Sequence, residues 1–496
     1  MGHNKKLRRV LVNIDINSVT KPFLDKVTES ENVTEADLYP FVDVYAGHGV
    51  TDVALDVFCQ YSAVDSKVIS DYRAKYEQKI ENGVEVDYRD YYKSIYRLNV
   101  ECGIDPYDVW FRRCAEKGMK SWLSIRMNDC HSPDDDACFL RSDFFYEARE
   151  KGWMVGPKYG YYRYCFDYSH KEVRAKMLDY IDEQLGRYDT PGLELDFQRE
   201  MTCFDYQSGK DYTPIMTEFL RSVKKTVEKY EKKRGHKIDI ALRLCRSIED
   251  NLGYGFDVQA YNDEGLVDSI TPTGRWSSHD SDMPLKEWME RLPNIEIYAG
   301  IEALTNNRML STTPLKMGYI ANCVSDDPHG IYFYNHYIDP NSGEESYGEK
   351  LKLFEAAALP IEEIIKEPLH HVVTFQDTCP DEASRWMPFP KRLGNGQKYI
   401  VPIKTGIVPA RPATLIFGTR ADRIDDLDIS INGKPVTGFR KLSEEEKIIY
   451  LGDAMRAGVC FYEAPVTLDL EKTHQQLYVV AKKGSVVLRY AEIDIL

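Results

Sequence analysis

No apolar run in the chain approaches the roughly 20 residues that cross a bilayer, which argues against a membrane-spanning helix. Basic charge is in deficit: 64 Lys and Arg stand against 80 Asp and Glu, for a formal net charge of −16. Binding a polyanion takes clustered cations, so neither nucleic acid nor a membrane surface is an expected partner. The one basic cluster, Lys5, Lys6, Arg8 and Arg9, runs into Val10-Leu11-Val12-Asn13-Ile14-Asp15, whose polar residues interrupt the apolar stretch of an export signal. Tight cysteine pairs are missing too. Eleven cysteines occur singly, an odd count that fits reduced thiols and a cytoplasmic location. Closely spaced metal ligands are scarce, Cys130-His131 with Cys138 being the nearest approach, so neither a metal nor another cofactor is expected.

What is present points to a large globular protein. At 496 residues, 43% hydrophobic and 29% charged, the chain exceeds one typical core and predicts a large domain plus a smaller one. One run organises it: Thr190-Pro191-Gly192-Leu193-Glu194-Leu195-Asp196-Phe197-Gln198-Arg199-Glu200. On a strand Leu193, Leu195 and Phe197 share one face while Glu194, Asp196 and Gln198 share the other. Two readings of its acids stand open. Either Asp196 is a structural carboxylate paired with Arg199 or Arg243, or it is catalytic at the open end of a barrel strand.

The same alternation recurs at 10–17, 51–58, 121–129, 237–245, 266–273, 294–302 and 330–336. Helical patterns lie between, at 106–118, 171–187 and 213–233, and a last one at 348–359 closes the ring. A Tyr-, Lys- and Glu-rich stretch around 68–98 predicts a helical insertion over the site, and 130–169 predicts a long loop whose aromatics are candidate sugar walls. Eight strands interleaved with helices predict an α/β protein built on a (β/α)8 barrel of the TIM type, with the aliphatic face under the helices and the polar face inward. From about 370 the pattern changes to short apolar runs at 399–403, 413–417, 427–431, 465–470, 476–481 and 485–495, with an Asn432-Gly433 hairpin signal. The expected organisation is a catalytic barrel over 1–369 followed by an antiparallel β-sandwich over 370–496.

By strand position Asp15, Asp56, Arg126, Asn128, Asp196, Arg243, Glu302 and His336 converge on the carboxyl mouth, where barrels of this type carry their chemistry. Glycoside hydrolysis needs one group to protonate the leaving oxygen and a second carboxylate that attacks or activates water. Asp196 on the fourth strand and Glu302 on the seventh supply the pair; separations of ~5–5.5 Å for retention and ~6.5–9.5 Å for inversion are both open to it. Arg126 and Arg243 hold one carboxylate ionised, or equally pair with Glu194 and Asp52 in a filled core. Asp56, Asn128, His329 and His336 are candidates for sugar hydroxyls, and Trp276 beside Arg275 for stacking. Arg126, Glu200 and Arg243 complete the substrate-binding set.

Three motifs carry a resemblance. Trp122-Leu123-Ser124-Ile125-Arg126-Met127-Asn128-Asp129, Gly192-Leu193-Glu194-Leu195-Asp196-Phe197 and Tyr298-Ala299-Gly300-Ile301-Glu302 together resemble the bacterial barrel proteins described as family 10 glycosyl-hydrolase-like, over roughly residues 10–359. That resemblance implies a TIM-type barrel and carbohydrate hydrolysis. A carboxylate on strand seven is also similar to the clan of retaining glycosidases with its acid/base on strand four and nucleophile on strand seven. The chain departs from that clan in lacking an Asn-Glu pair at the end of strand four, with Glu200 beyond it instead. The expected function is hydrolysis of small glycosides or oligosaccharides, with Glu302 as nucleophile or base and Asp196 as acid. Alternatives are a non-catalytic sugar-binding barrel, or a metal-assisted sugar hydrolase or isomerase using Asp56, His329 and Asp196. A homo-oligomer is compatible with all three.

Overall fold

Period-two alternation closes into a ring in the computed structural model, which describes residues 8–15, 20–74, 89–135, 138, 140–274, 280–302, 312–375, 387–420, 424–450 and 456–496. Strands β1 (Arg9–Ile14), β2 (Asp52–Asp56), β3 (Lys120–Arg126), β4 (Gly192–Asp196), β5 (Asp239–Cys245), β6 (Ser269–Thr273), β7 (Glu296–Glu302) and β8 (Gly330–Tyr334) form a closed parallel barrel in sequence order. β8 returns to β1 with Val12 opposite Phe333. Leu193, Leu195, Ile240, Leu242, Ile297, Ile301, Ile331 and Phe333 point outward into a dry layer beneath the helices, as the alternation predicts.

The helices have local causes. Asp105 accepts from the backbone N–H groups of Tyr107 and Asp108 to start Pro106–Glu116, with proline at the first turn. Thr213–Arg234 buries Met216, Phe219, Leu220, Val223, Val227 and Tyr230 along one stripe and stops at Gly235, whose φ of 79° a glycine adopts without strain. Two features differ from the sequence reading. Asp143–Lys151 is a helix inside the expected loop, capped by Ser142 Oγ and ended by left-handed Gly152. Of the expected insertion, Arg89–Tyr96 is helical and Arg97–Glu101 continues it as a wider turn, while 75–88 lies outside the described residues. No helix among the described residues is long and apolar enough to cross a membrane.

Beyond the barrel, β9 (Leu369–Val372), β10 (Lys391–Leu393), β11 (Lys398–Lys404), β12 (Ala413–Thr419), β13 (Leu427–Ile431), β14 (Lys434–Pro435), β15 (Arg440–Lys441), β16 (Cys460–Val466), β17 (His474–Ala481) and β18 (Val486–Ile495) make two antiparallel sheets. One runs β10-β18-β12-β16-β15 with β9 also on β18, the other β11-β17-β13-β14. The Asn432-Gly433 turn joins β13 to β14, both residues at positive φ. The strand expected at 465–470 is displaced: β16 ends at Val466, and the Gln475 side chain then fixes a turn by accepting from Asp469 N and donating to the carbonyls of Asp469 and Lys472.

Candidate active site

The interior of the barrel is built in layers, because inward residues of neighbouring strands lie level with one another. At the floor Trp122 lies over Gly192, where a Cβ would come within 2.4 Å of its ring, and Tyr298 lies against Gly330 in the same way at 2.7 Å. Arg9 and Asp52 pair there, Asp52 also accepting from Trp122 Nε1 at 2.7 Å. In the middle, Glu194 accepts from Asn13 (3.1 Å), Ser124 (2.7 Å) and Tyr332 (3.1 Å). Burial pushes its carboxyl up to about 7, the nearby Asp196 charge adding to the effect and the Ser124 and Tyr332 hydroxyls opposing it. Neither Asp52 nor Glu194 is therefore the partner of the mouth arginines.

The top layer is charged. Arg243 stands between the two expected catalytic carboxylates: Nη1 donates to Asp196 at 3.1 and 3.2 Å, and Nη2 donates to Glu302 Oε1. Its guanidinium lies over the Tyr334 ring at 3.6 Å. Arg126 binds Asp15 (2.8 Å), Asp56 (3.0 Å) and Asp129 (3.3 Å). Arg199 approaches Asp129 at 3.7 Å and donates to His131 Nε2, while His131 Nδ1 meets Asp129. All these acids are buried, Glu302 at 5% exposure and Asp196 at 1%.

The two central carboxylates sit differently. Asp196 Oδ1 accepts from the backbone N–H of Gln198 (3.0 Å) and of Arg199 (3.2 Å) in addition to Arg243, so its hydrogen-bonding partners among the described residues are donors. Glu302 has one oxygen on Arg243, while its buried Oε2 meets no hydrogen-bonding partner among the described residues. Burial raises the Glu302 carboxyl to about 7, against the opposing charges of Arg243 and Arg199 and with help from Asp196. Burial likewise lifts Asp56 well above the usual range despite Arg126. Asp129 goes the other way: burial, which alone would raise it, is outweighed by His131, Arg199 and Arg126.

Other buried polar atoms at the carboxyl ends lack hydrogen-bonding partners among the described residues: both amide atoms of Gln60 and of Gln198, Asn335 Oδ1 and Tyr334 Oη. Gln60 and Asn335 also hold φ values of 71° and 55°, a left-handed backbone that side chains other than glycine adopt at a cost.

Several expected positions fall elsewhere. Asn128 is committed to the backbone: its amide donates to Phe166 O and Thr202 O (both 3.2 Å) and accepts from Phe166 N (2.8 Å), which locks two loops and leaves nothing for a sugar. His329 directly precedes β8, so it stands at the amino end of the barrel, exposed, with Nδ1 accepting from Ile297 N. His336 turns out of the interior, its ring against Phe333 at 5.0 Å and Nδ1 near Tyr334 O, and burial keeps it well below its usual pKa. Glu200 is buried beyond β4. Trp276 and Arg275 lie outside the described residues. Of the loop aromatics, Tyr159, Tyr162, Phe166 and Tyr168 are buried packing, Tyr168 donating to Met127 O. Cys130 and Cys138 are free thiols, and His131 serves Asp129 and Arg199. Asp129 and Gln60 are the site members given no role from sequence, and Gln198, Arg199 and His131 figure there only as a strand-face neighbour, a partner for Asp196 and a near approach to metal ligands; Gln198 shares the inward parity of Glu194 and Asp196, whereas Asp129 has the outward parity of Met127, so alternation gives no signal for it.

No family model matches the chain, and no curated protein matches it, the family 10 glycosyl-hydrolase-like group included. Among solved structures, an Anoxybacillus alpha-amylase is similar at 10% identity and TM-score 0.38, covering 96% of this chain and 98% of its own. The GH36 alpha-galactosidase AgaB of Geobacillus stearothermophilus is similar at 13% identity and TM-score 0.38, with 99% of this chain covered and 56% of its own, so this chain spans about half of that enzyme's length. The glycoside hydrolase domain of PgaB (BpsB) from Bordetella bronchiseptica is similar at 9% identity and TM-score 0.38, over 70% of this chain and 99% of its own.

Proposed function

We propose that this protein hydrolyses glycosidic bonds at the carboxyl mouth of its barrel. The observation that carries the reading is Arg243 standing between Asp196 and Glu302, two buried carboxylates in unequal surroundings. An acid and a base in one site need environments that push their protonation apart. Glu302, buried and at about 7, keeps a proton near neutral pH on a carboxyl whose Oε2 meets no hydrogen-bonding partner among the described residues; it is the general acid that delivers the proton to the leaving oxygen. Among the described residues Asp196 receives donors and its Oδ2 meets Arg243, so that oxygen attacks the anomeric carbon or takes a proton from the attacking water. This reverses the assignment expected from sequence, in which Asp196 was the acid. Gln60, Gln198, Tyr334 and Asn335 present buried polar atoms suited to ring hydroxyls, and Asp15, Asp56 and Arg126 form an ion-paired group at the same carboxyl ends. The metal-assisted alternative loses its ligand set, because His329 stands at the opposite end of the barrel from Asp56 and Asp196.

The test is a screen of aryl and natural glycosides with the wild type, Asp196→Asn and Glu302→Gln. Each variant should fold and lose about 10²–10⁴-fold in kcat on any substrate the wild type turns over. Binding of a sugar without turnover in the wild type supports the non-catalytic barrel instead, and full activity in both variants removes the carboxylate pair.

A further inference from the structure

A second cluster lies away from the mouth, on the sandwich. Strand β9, the first after the barrel, pairs with the last strand, β18, placing His370 opposite Asp494 and Val372 opposite Glu492. Positions 492 and 494 share a face of β18, so both carboxylates flank the imidazole. His370 Nδ1 lies 2.9 Å from Glu492 Oε1 and 3.6 Å from Asp494 Oδ1. One donor atom from each residue falls within 4.8 Å of the others.

Glu492 and Asp494 also lie within hydrogen-bonding reach of each other, a contact that two carboxylates can make only if one of them carries a proton. Asp494 is 7% exposed, yet its Oδ1, directed at the imidazole, meets no hydrogen-bonding partner among the described residues. Two adjoining buried carboxylates share a single imidazole, and like charges so placed require a cation or a proton between them. Around them, Tyr490 donates its hydroxyl to Glu492 Oε2, orienting that carboxylate. Glu463 is a further acid, on β16, and is engaged by Arg440 at 2.8 Å.

We propose that His370, Glu492 and Asp494 bind one divalent transition-metal ion of the zinc class. Ligands held ~2.0–2.1 Å from a tetrahedral ion lie ~3.3 Å apart, between the two distances that His370 makes here. One imidazole nitrogen with two carboxylates suits zinc rather than calcium or magnesium, which take oxygen ligands. The ion joins the strand leaving the barrel to the strand ending the sandwich, so its effect is on stability and not on turnover.

The test uses the full chain, stripped with chelator, loaded with excess zinc chloride and desalted. Wild type should retain about one zinc per chain and melt at a higher temperature than its stripped form. His370→Ala and the near-isosteric Asp494→Asn should each lower zinc affinity by at least about tenfold and abolish the thermal shift. Asp494→Asn relieves the like-charge contact, so the stripped variant should fold at least as well as the stripped wild type. Failure of the wild type to retain zinc, or equal retention by both variants, overturns the proposal; in the first case a shared proton is what holds the carboxylates together.

Discussion

Glu302 makes the pH response of the protein calculable in sign. Its folded-state carboxyl titrates near 7 against an ordinary 4.5, so between those values the folded chain holds a proton that the unfolded chain has released. The associated stability is present in full below 4.5 and is lost as pH rises through 7. A shift of that size corresponds to roughly 3 kcal/mol as an upper figure. Urea denaturation at pH 5 and pH 8 should show the wild type weaker at the higher value and Glu302→Gln with a smaller difference; equal slopes would show that Glu302 does not titrate in this range. Turnover should fall above about pH 7 for the same reason, as the acid form is lost. The shared parity of Asp196, Arg243 and Glu302 is legible in the sequence, since each lies on the inward side of an alternating run. The clasp of Asp129, His131 and Arg199 is harder to read, because His131 and Arg199 come from loops where no periodicity assigns a direction.

At the scale of elements, strand positions follow from side-chain alternation, and the errors have specific origins. His329, a candidate from sequence for sugar hydroxyls, precedes a parallel strand and so stands at the amino end of the barrel, away from the carboxyl mouth. Helix Asp143–Lys151 carries both its signals, Ser142 before it and Gly152 after it, and was obscured by the surrounding aromatic residues. Asn128 shows how a polar side chain at a strand end can belong to architecture. Asn128→Ala leaves two carbonyls and one N–H without their partner and should cost about 2–4 kcal/mol in chemical denaturation, with faster proteolysis of the loops at 166 and 202. Gly192→Ala should destabilise by about 1–3 kcal/mol through contact with Trp122, and near-neutral stability would mean that the ring can shift.

At the scale of the molecule, the barrel and the sandwich are joined through buried polar contacts. Lys404 of β11, 4% exposed, bonds Asp326 at 2.6 Å and approaches Asp282 at 3.6 Å, and Asn322 of the helix Thr313–Val324 donates to Lys404 O at 3.0 Å. Gly318 on that helix has the backbone of His370 so near that a Cβ would meet its carbonyl at 2.1 Å. Lys404→Met removes the nearest cation of Asp326, leaving it only the exposed Lys286 at 3.4 Å, while Asp282 keeps His474 at 2.9 Å, and should cost about 1–3 kcal/mol. Calorimetry should show one transition in the wild type and a broadened or split one in the variant; an unchanged single transition would mean that the seam does not couple the two parts.

The stacked rings at the base of the barrel, Trp122 and Tyr298 nested over glycines with the Glu194 cluster above them, stop up the lower opening. If the carboxyl mouth hydrolyses glycosides as proposed, product departs through the same end of the barrel by which substrate enters. A released sugar and the next arrival then contend for the same threshold, and added product should slow the reaction by competing directly with substrate.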